Sequence, residues 1–389
     1  MAPFAETPIL SSFPDPKVEV FKEPDLIDGW WTSEQLLRIE RRAIFSKTWV
    51  CICHRSRFSK PGDYISMDFA GYPILAILGK DNIVRVFHNV CRHRAYTITK
   101  KPAGSSLVLG CRYHGWSYDT KGGLVKAPHF EGVEGFDKSE NGLFKIRTCT
   151  DKAGFVHVNL DTGDIDSVPD CGKLVEFCFE NYISTSSKWL TGWELGGGFN
   201  WKTVGASDRT GIGTVDTLPM ETLMGIISSL LGKPKVNVNN YRMLQLEPCS
   251  LIFVFPNSQI WGTLSALPLS ADQCNVKCDL FSGVHQALED SEVEVLKTFF
   301  GAEVHALEKG YDALRAAPPK PAPSIYNLIK AHLSLERVLG REIMPGKKEG
   351  KSESFCKAEK LCNDLDRIAQ AGKFGRSLRV DSIQGGLEW

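Results

Sequence analysis

Two short cysteine–histidine pairs constrain this chain more than anything else in it. Cys91-Arg-His93 and Cys111-Arg-Tyr-His114 place a C-x-H and a C-x2-H motif 17 residues apart. Each pair follows a β-type run, NIVRVFHNV before the first and SLVLG before the second. A loop tip past each strand is therefore expected to present it. Two thiolates and two imidazoles suit a tetrahedral zinc ion. They equally suit a [2Fe-2S] cluster in which two histidines replace two cysteines on one iron, a change that raises the reduction potential.

The rest of the 389 residues must build a scaffold for those loops, and they amount to two or three domains' worth of chain. The 46 basic and 46 acidic side chains cancel. That balance argues against a nucleic-acid binder or a binder of anionic membranes. No apolar run reaches the roughly 18 residues of a membrane span. The opening MAPFAETPILSSFPDPK has no basic stretch followed by an apolar block, so no secretory signal is expected. Twelve cysteines without such a signal point to reduced thiols or metal ligands. The expected compartment is the cytoplasm.

Along the chain, residues 1–27 are Pro-rich and polar. TSEQLLRIERRAIFSKTW reads as a helix started by Thr32, with Glu34 in its first turn. After Trp49 come short β-type runs, YISMDFA, YPILAILG, NIVRVFHNV, SLVLGC and GFVHVNL, separated by turn signals. A more helical stretch is expected around 171–190. Longer strand candidates then follow in VNVNNYRMLQLEP, SLIFVFP, QIWGTLSALPL and CNVKCDLFSG. Val293, Leu296, Phe300, Val304, Leu307, Tyr311 and Leu314 fall at helical spacing, so residues 290–315 read as a helix, stopped by AAPPKPAPS. A last helix is expected within 354–371.

Other cysteines and histidines have plainer readings. Cys51-Ile-Cys53-His54 lies in a β-run that sets both thiols on one face, so buried thiols are expected there. Cys274 and Cys278 share a strand face in the same way. Cys356 and Cys362 are too badly spaced on a helix to be paired ligands. His88 reads as structural and His305 as solvent-facing. Trp116 reads as a shield against water.

The segments NVCRHRAYTITK and GCRYHGWSYDTKGGL together resemble the Rieske motif of ring-hydroxylating and choline-monooxygenase-like oxygenase large subunits. The loops lack the additional cysteines of respiratory Rieske proteins, and the chain is far longer than a Rieske ferredoxin. RIERRAIFSKTWVCICHRS, GLVKAPHFEGVEGFDKSENGLFKI and Asn200-Trp201-Lys202 extend the likeness along the chain. The resemblance implies an α+β protein with an all-β Rieske domain inserted beside a helix-grip, antiparallel-sheet domain of catalytic type. The boundaries expected are an N-terminal segment and helix at 1–49, the Rieske domain at 50–165 and the catalytic-type domain at 166–389. It implies a [2Fe-2S] cluster on Cys91, His93, Cys111 and His114. It also implies a reductase or ferredoxin as electron donor, a small organic substrate and a trimeric ring.

The same resemblance implies a mononuclear iron held by two histidines and a distal carboxylate, a set that leaves positions open for dioxygen and substrate. After Asn200-Trp201-Lys202, the places of the family's bridging carboxylate and two histidines are taken by Thr210, Gly213 and Leu218. No histidine occurs between His157 and His285. Glycine and leucine offer no ligand atom, so mononuclear iron is doubtful. Of the nearby carboxylates, Asp208 is one candidate remnant of the site, Asp216 and Glu221 read as solvated, and Glu303 matches the distal carboxylate. Two functions are therefore expected: a Rieske oxygenase that hydroxylates a small organic molecule, or a Rieske electron-transfer or regulatory subunit without its own mononuclear iron.

Overall fold

The computed structural model describes residues 28–128, 130, 136–163, 168–206, 211–213, 236–256, 258–283 and 288–345. It opens with helix α1 (Glu34–Glu40), which continues into one π-helical turn, Arg41–Phe45. The helix is capped by Ser33, not by Thr32 as the sequence suggested. The Ser33 hydroxyl accepts the Leu36 amide at 3.2 Å, while Thr32 is spent in a turn closed on the Gly29 carbonyl. Leu36, Leu37, Ile39, Ala43, Ile44 and Phe45 are its buried stripe.

Ten strands follow: β1 (Val50–His54), β2 (Asp63–Phe69), β3 (Tyr72–Leu78), β4 (Val84–His88), β5 (Ala103–Ser105), β6 (Val108–Gly110), β7 (Ser117–Asp119), β8 (Leu124–Lys126), β9 (Lys145–Thr150) and β10 (Phe155–Asn159). Seven form one antiparallel sheet in the order β1-β10-β9-β4-β3-β2-β5, and β6-β7-β8 form a small second sheet. β3, YPILAIL, is apolar almost throughout and lies between β2 and β4, buried along nearly its whole length.

Helix α2 (Gly172–Glu180) ends ten residues short of the helical stretch read from the sequence. Residues 188–190 instead open strand β11 (Lys188–Gly197). β12 (Gly211–Gly213), β13 (Tyr241–Leu246), β14 (Ser250–Phe255), β15 (Ile260–Ser270) and β16 (Gln273–Ser282) complete a six-stranded antiparallel sheet, β11-β16-β15-β14-β13-β12. A four-residue helix, α3 (Thr203–Ala206), lies between β11 and β12. The long helix α4 (Asp290–Ala316) has a capping box, Glu289 with Glu292, and buries Leu296, Phe299, Phe300, Glu303, Val304, Leu307 and Tyr311. Helix α5 (Pro323–Leu339) begins on the last residues of the Pro-rich break and ends on left-handed Gly340. The helix expected within 354–371 lies outside the described residues. Among the described residues, no helix is long and apolar enough to cross a membrane.

β14 shows how the layers stack. All six of its side chains are buried. Leu251, Phe253 and Phe255 join the core that holds Phe299 and Phe300 of α4. Ile252 and Val254 point the other way, into a cluster with Phe155 of β10, Leu174 and Cys178 of α2, and Trp261 and Phe281. One face of the six-stranded sheet thus carries α4 and the other docks on the seven-stranded sheet. Gly262 permits the first contact, since a Cβ there would sit 2.7 Å from the Phe300 ring. The α+β architecture expected from the sequence is borne out.

Candidate metal centre

The two cysteine–histidine loops are built alike. The Cys91 amide donates to the Tyr96 carbonyl at 2.8 Å, and the Ala95 amide donates to the Cys91 carbonyl at 2.9 Å. The Cys111 amide donates to the Trp116 carbonyl at 2.7 Å, and the Gly115 amide donates to the Cys111 carbonyl at 3.0 Å. Both loops turn on a residue with positive φ, Ala95 at 52° and Gly115 at 71°. Each cysteine therefore opens the same tight loop, and the histidine falls two or three places later.

The fold brings the two cysteines together and the two histidines together. Cys91 and Cys111 are buried and free of disulfide. Their thiols are in contact: the hydrogen bond from Cys91 holds the Cys111 thiol down at about 6, and the same contact with burial pushes Cys91 up. The rings of His93 and His114 lie 4.5 Å apart between centroids. His93 is sealed, stacked on Trp116 at 5.1 Å and edge-on to Phe130 at 5.3 Å. His114 is half-buried beneath the exposed Tyr113 ring at 3.9 Å. Two adjacent soft sulfurs and two adjacent imidazoles suit a two-iron cluster with one sulfur-held and one nitrogen-held iron.

Tyr118 adds a polar contact that the sequence reading left without a role. Its hydroxyl accepts the Arg92 amide at 3.1 Å, which leaves its proton for Cys91 Sγ at 3.2 Å. The only signal for it in the sequence is its place two residues after Trp116. Burial, with the Cys91 sulfur beside it, pushes the Tyr118 phenol up, so it stays a donor.

Two other histidines of this half, His54 and His88, are structural. His54 Nδ1 accepts the Ser56 amide at 3.3 Å, so Nε2 donates to the Ala153 carbonyl at 2.9 Å. Burial lowers its pKa to about 4, as it does that of His88. Cys51 and Cys53 are separated by a β-bulge and make no metal site with His54.

The positions expected around a mononuclear iron look different. Asn200 donates to the Trp31 and Ala271 carbonyls at 3.0 and 2.6 Å. Trp201 Nε1 donates to Glu40 at 2.8 Å, and Lys202 pairs with the same fully buried carboxylate at 2.5 Å. This triplet anchors α1 instead of opening a long helix. Gly213 lies on edge strand β12, in register with Tyr241. The Tyr241 hydroxyl donates to Glu303 at 3.2 Å, and Glu303 is buried on α4. Tyr241, Phe253, Phe255 and Phe299 pack ring to ring at 5.1–5.6 Å beside it. Among the described residues, the six-stranded sheet carries no histidine. These residues do not fit a two-histidine, one-carboxylate iron site. Thr210, Leu218, Asp208, Asp216 and Glu221 lie outside the described residues. His305 faces solvent and pairs with Glu308, as expected.

Residues 48–137 match the Rieske [2Fe-2S] domain. The carnitine monooxygenase oxygenase subunit of Acinetobacter pittii is 36% identical over 132 residues, 34% of this chain and 35% of that protein. Chlorobenzene dioxygenase subunit alpha of a Cupriavidus strain is 38% identical over 132 residues, 34% of this chain and 29% of that protein. The chain thus matches about a third of the length of these curated relatives. Solved structures extend the likeness of fold. A quaternary ammonium Rieske monooxygenase superposes with a TM-score of 0.58 at 22% identity, covering 74% of this chain and 84% of the other. Naphthalene 1,2-dioxygenase superposes with a TM-score of 0.54 at 15% identity, covering 85% and 94%. Residues 48–137 are thus a Rieske [2Fe-2S] domain, whose cofactor is a Rieske [2Fe-2S] cluster, and the chain as a whole shares the fold of these Rieske oxygenase structures.

Proposed function

We propose that this chain is a Rieske oxidoreductase that moves single electrons on an oxygenase scaffold and passes them to a partner, without activating dioxygen at an iron of its own. One observation carries the reading: Gly213, standing where the scaffold needs a histidine, is backbone-paired to Tyr241, whose hydroxyl is committed to Glu303. Cys91 and Cys111 would hold one iron, and His93 and His114 the other. When bound, the cluster supplies a site that takes up and releases one electron. Tyr118 stabilises the sulfur of Cys91, and Trp116 and Phe130 keep water from His93. The half-buried His114 ring is the way in and out for the electron.

The donor is a reductase or ferredoxin. A cleft of about 480 Å³ beside the loops, lined in part by Tyr96, Lys100, Lys101 and Arg112, offers it a basic surface. The same reading divides the chain into an N-terminal segment at 1–49, a Rieske domain at 50–165 and a catalytic-type domain at 166–389. It places the protein in the cytoplasm as a homotrimer, with no nucleic-acid or membrane partner.

A second reading, hydroxylation of a small organic substrate, is favoured by the burial of Glu303 against Tyr241, the register partner of Gly213. It requires ligands from elsewhere, such as an intact paralogous subunit. Iron analysis with EPR separates the two. Under the carrier reading, purified protein holds about two irons per chain, gives a Rieske signal on reduction, and shows no ferrous nitrosyl signal with nitric oxide. A third iron with a nitrosyl signal would overturn it.

A further inference from the structure

Away from the cysteine–histidine loops, a second set of metal-capable side chains converges at the joint between the two sheets. Asp151 lies in the turn between β9 and β10, His157 is on β10, and Cys171 caps α2. Their donor atoms all lie within 4.8 Å of one another. Asp151 Oδ2 is 2.9 Å from His157 Nε2, and Cys171 Sγ is 3.5 Å from that same nitrogen. One ring nitrogen carries at most one proton, and a proton there is already matched by the carboxylate. The Cys171 thiol also hydrogen-bonds to Asp151. Without an ion the carboxylate takes the protons of both neighbours, and a cation bound by all three atoms would replace those two protons.

The S–N edge is close to what a tetrahedral ion needs, while the O–N edge of 2.9 Å would open to about 3.3 Å on binding. With Zn–S of about 2.3 Å and Zn–N of about 2.05 Å, a tetrahedral S–N edge is about 3.6 Å, near the 3.5 Å observed. The carboxylate is held in place for the task, because its other oxygen accepts the Gly154 and Phe155 amides at 2.8 and 2.9 Å. Further thiols surround it. Cys51 and Cys149 are the register partners of His157 on β1 and β9, so their side chains share its face of the sheet.

We propose that Asp151, His157 and Cys171 bind zinc, with the fourth position left to solvent. Binding releases the Cys171 proton and leaves His157 neutral with its proton on Nδ1. The ion would tie the β9–β10 turn to the start of α2. There Ala153, Leu174 and Cys178 already pack against Ile252 and Trp261 of the six-stranded sheet. It would act as a structural clip between the cluster-bearing half and the rest, independent of electron transfer.

The test uses the cluster-loaded protein, equilibrated with Zn²⁺ and passed over a chelating resin. Zinc content and zinc K-edge absorption are then read alongside the Rieske EPR signal. Stoichiometric zinc with a sulfur shell at about 2.3 Å is expected. Cys171→Ser removes the sulfur shell. Asp151→Asn keeps the turn acceptor and removes the anionic ligand. Each lowers zinc affinity by at least about 100-fold, more than loss of a supporting hydrogen bond would, with the EPR signal unchanged. The proposal is overturned if no zinc is retained, or if Cys171→Ser retains zinc with its sulfur shell intact. It is also overturned if zinc is lost with Cys111→Ser and kept with Cys171→Ser, which would put the ion in the cluster loops.

Discussion

The two halves of the molecule use their polar side chains in opposite ways. Around the loops at 91–96 and 111–116, backbone and side-chain donors serve two sulfurs and two imidazoles. Backbone bonds shape each cysteine loop, Tyr118 donates to Cys91, and Trp116 backs His93. In the half built on the six-stranded sheet, the buried polar groups hold the helices. Glu40 receives Trp201 and Lys202, Tyr241 closes on Glu303, and Glu336 on α5 receives Arg42. A redox centre persists where donors converge on soft atoms. A scaffold persists where they converge on one another.

The largest break of that comparison is at the loops. His114 is half-buried and its ring carries little of the core, so His114→Ala should leave the fold intact and abolish the Rieske EPR signal. His93→Ala should do the same to the signal. Unchanged spectra in either variant would remove these residues from the ligand set.

Next comes a change that should touch stability alone. Glu336 accepts Arg42 through both oxygens, at 2.7 and 3.1 Å, and pairs with His332 at 3.0 Å. Glu336→Ala removes the two-oxygen partner of a buried guanidinium and leaves Arg42 with the exposed Glu342 at 3.2 Å, so it should cost unfolding free energy up to about 3 kcal/mol, measured by denaturant melts, with the cluster spectrum of the folded fraction unchanged. The pH dependence follows from the same contacts. Burial alone would raise the Glu336 pKa, but hydrogen bonds from His332 and Arg42 outweigh it and lower the pKa from 4.5 to about 2. A carboxylate with a depressed folded-state pKa stabilises fully above pH 4.5, and that contribution is lost as pH falls through about 2. The acid limb of the stability curve should therefore flatten between those values in Glu336→Gln. An unaltered limb would mean the pair contributes nothing.

The legibility of each half follows from the same contrast. The candidate ligands Cys91, His93, Cys111 and His114 stand out in the sequence because two tight loops compress each cysteine–histidine pair into a few residues. β3 and α4 were readable because their apolar periodicity is strong. β11 was not, because it is an edge strand with several partly exposed side chains and glycines at 192, 196 and 197. α5 was missed because it follows a Pro-rich break and two of its four buried side chains, His332 and Glu336, are polar. The convergence of Asp151, His157 and Cys171 has no short spacing to betray it. It exists only once β9 and β10 pair and α2 starts beside them.

The smallest expected effect sharpens the comparison from the redox side. Tyr118→Phe removes one hydroxyl, whose proton goes to Cys91 Sγ and whose oxygen accepts the Arg92 amide. The ring stays, so the packing under the loop is kept. A hydrogen bond to a cluster sulfur favours the reduced, more negative state, and its loss lowers the potential. A differential worth of about 1 kcal/mol corresponds to about 40 mV for one electron. Redox titration of the Rieske signal should show a downward shift of that order, with melting little changed. The variant is thus the reverse of Glu336→Ala, which changes melting and leaves the cluster alone. A potential that stays put, or moves upward, would mean that Tyr118 does no more than the buried polar groups of the other half, holding its loop without tuning the sulfur beneath it.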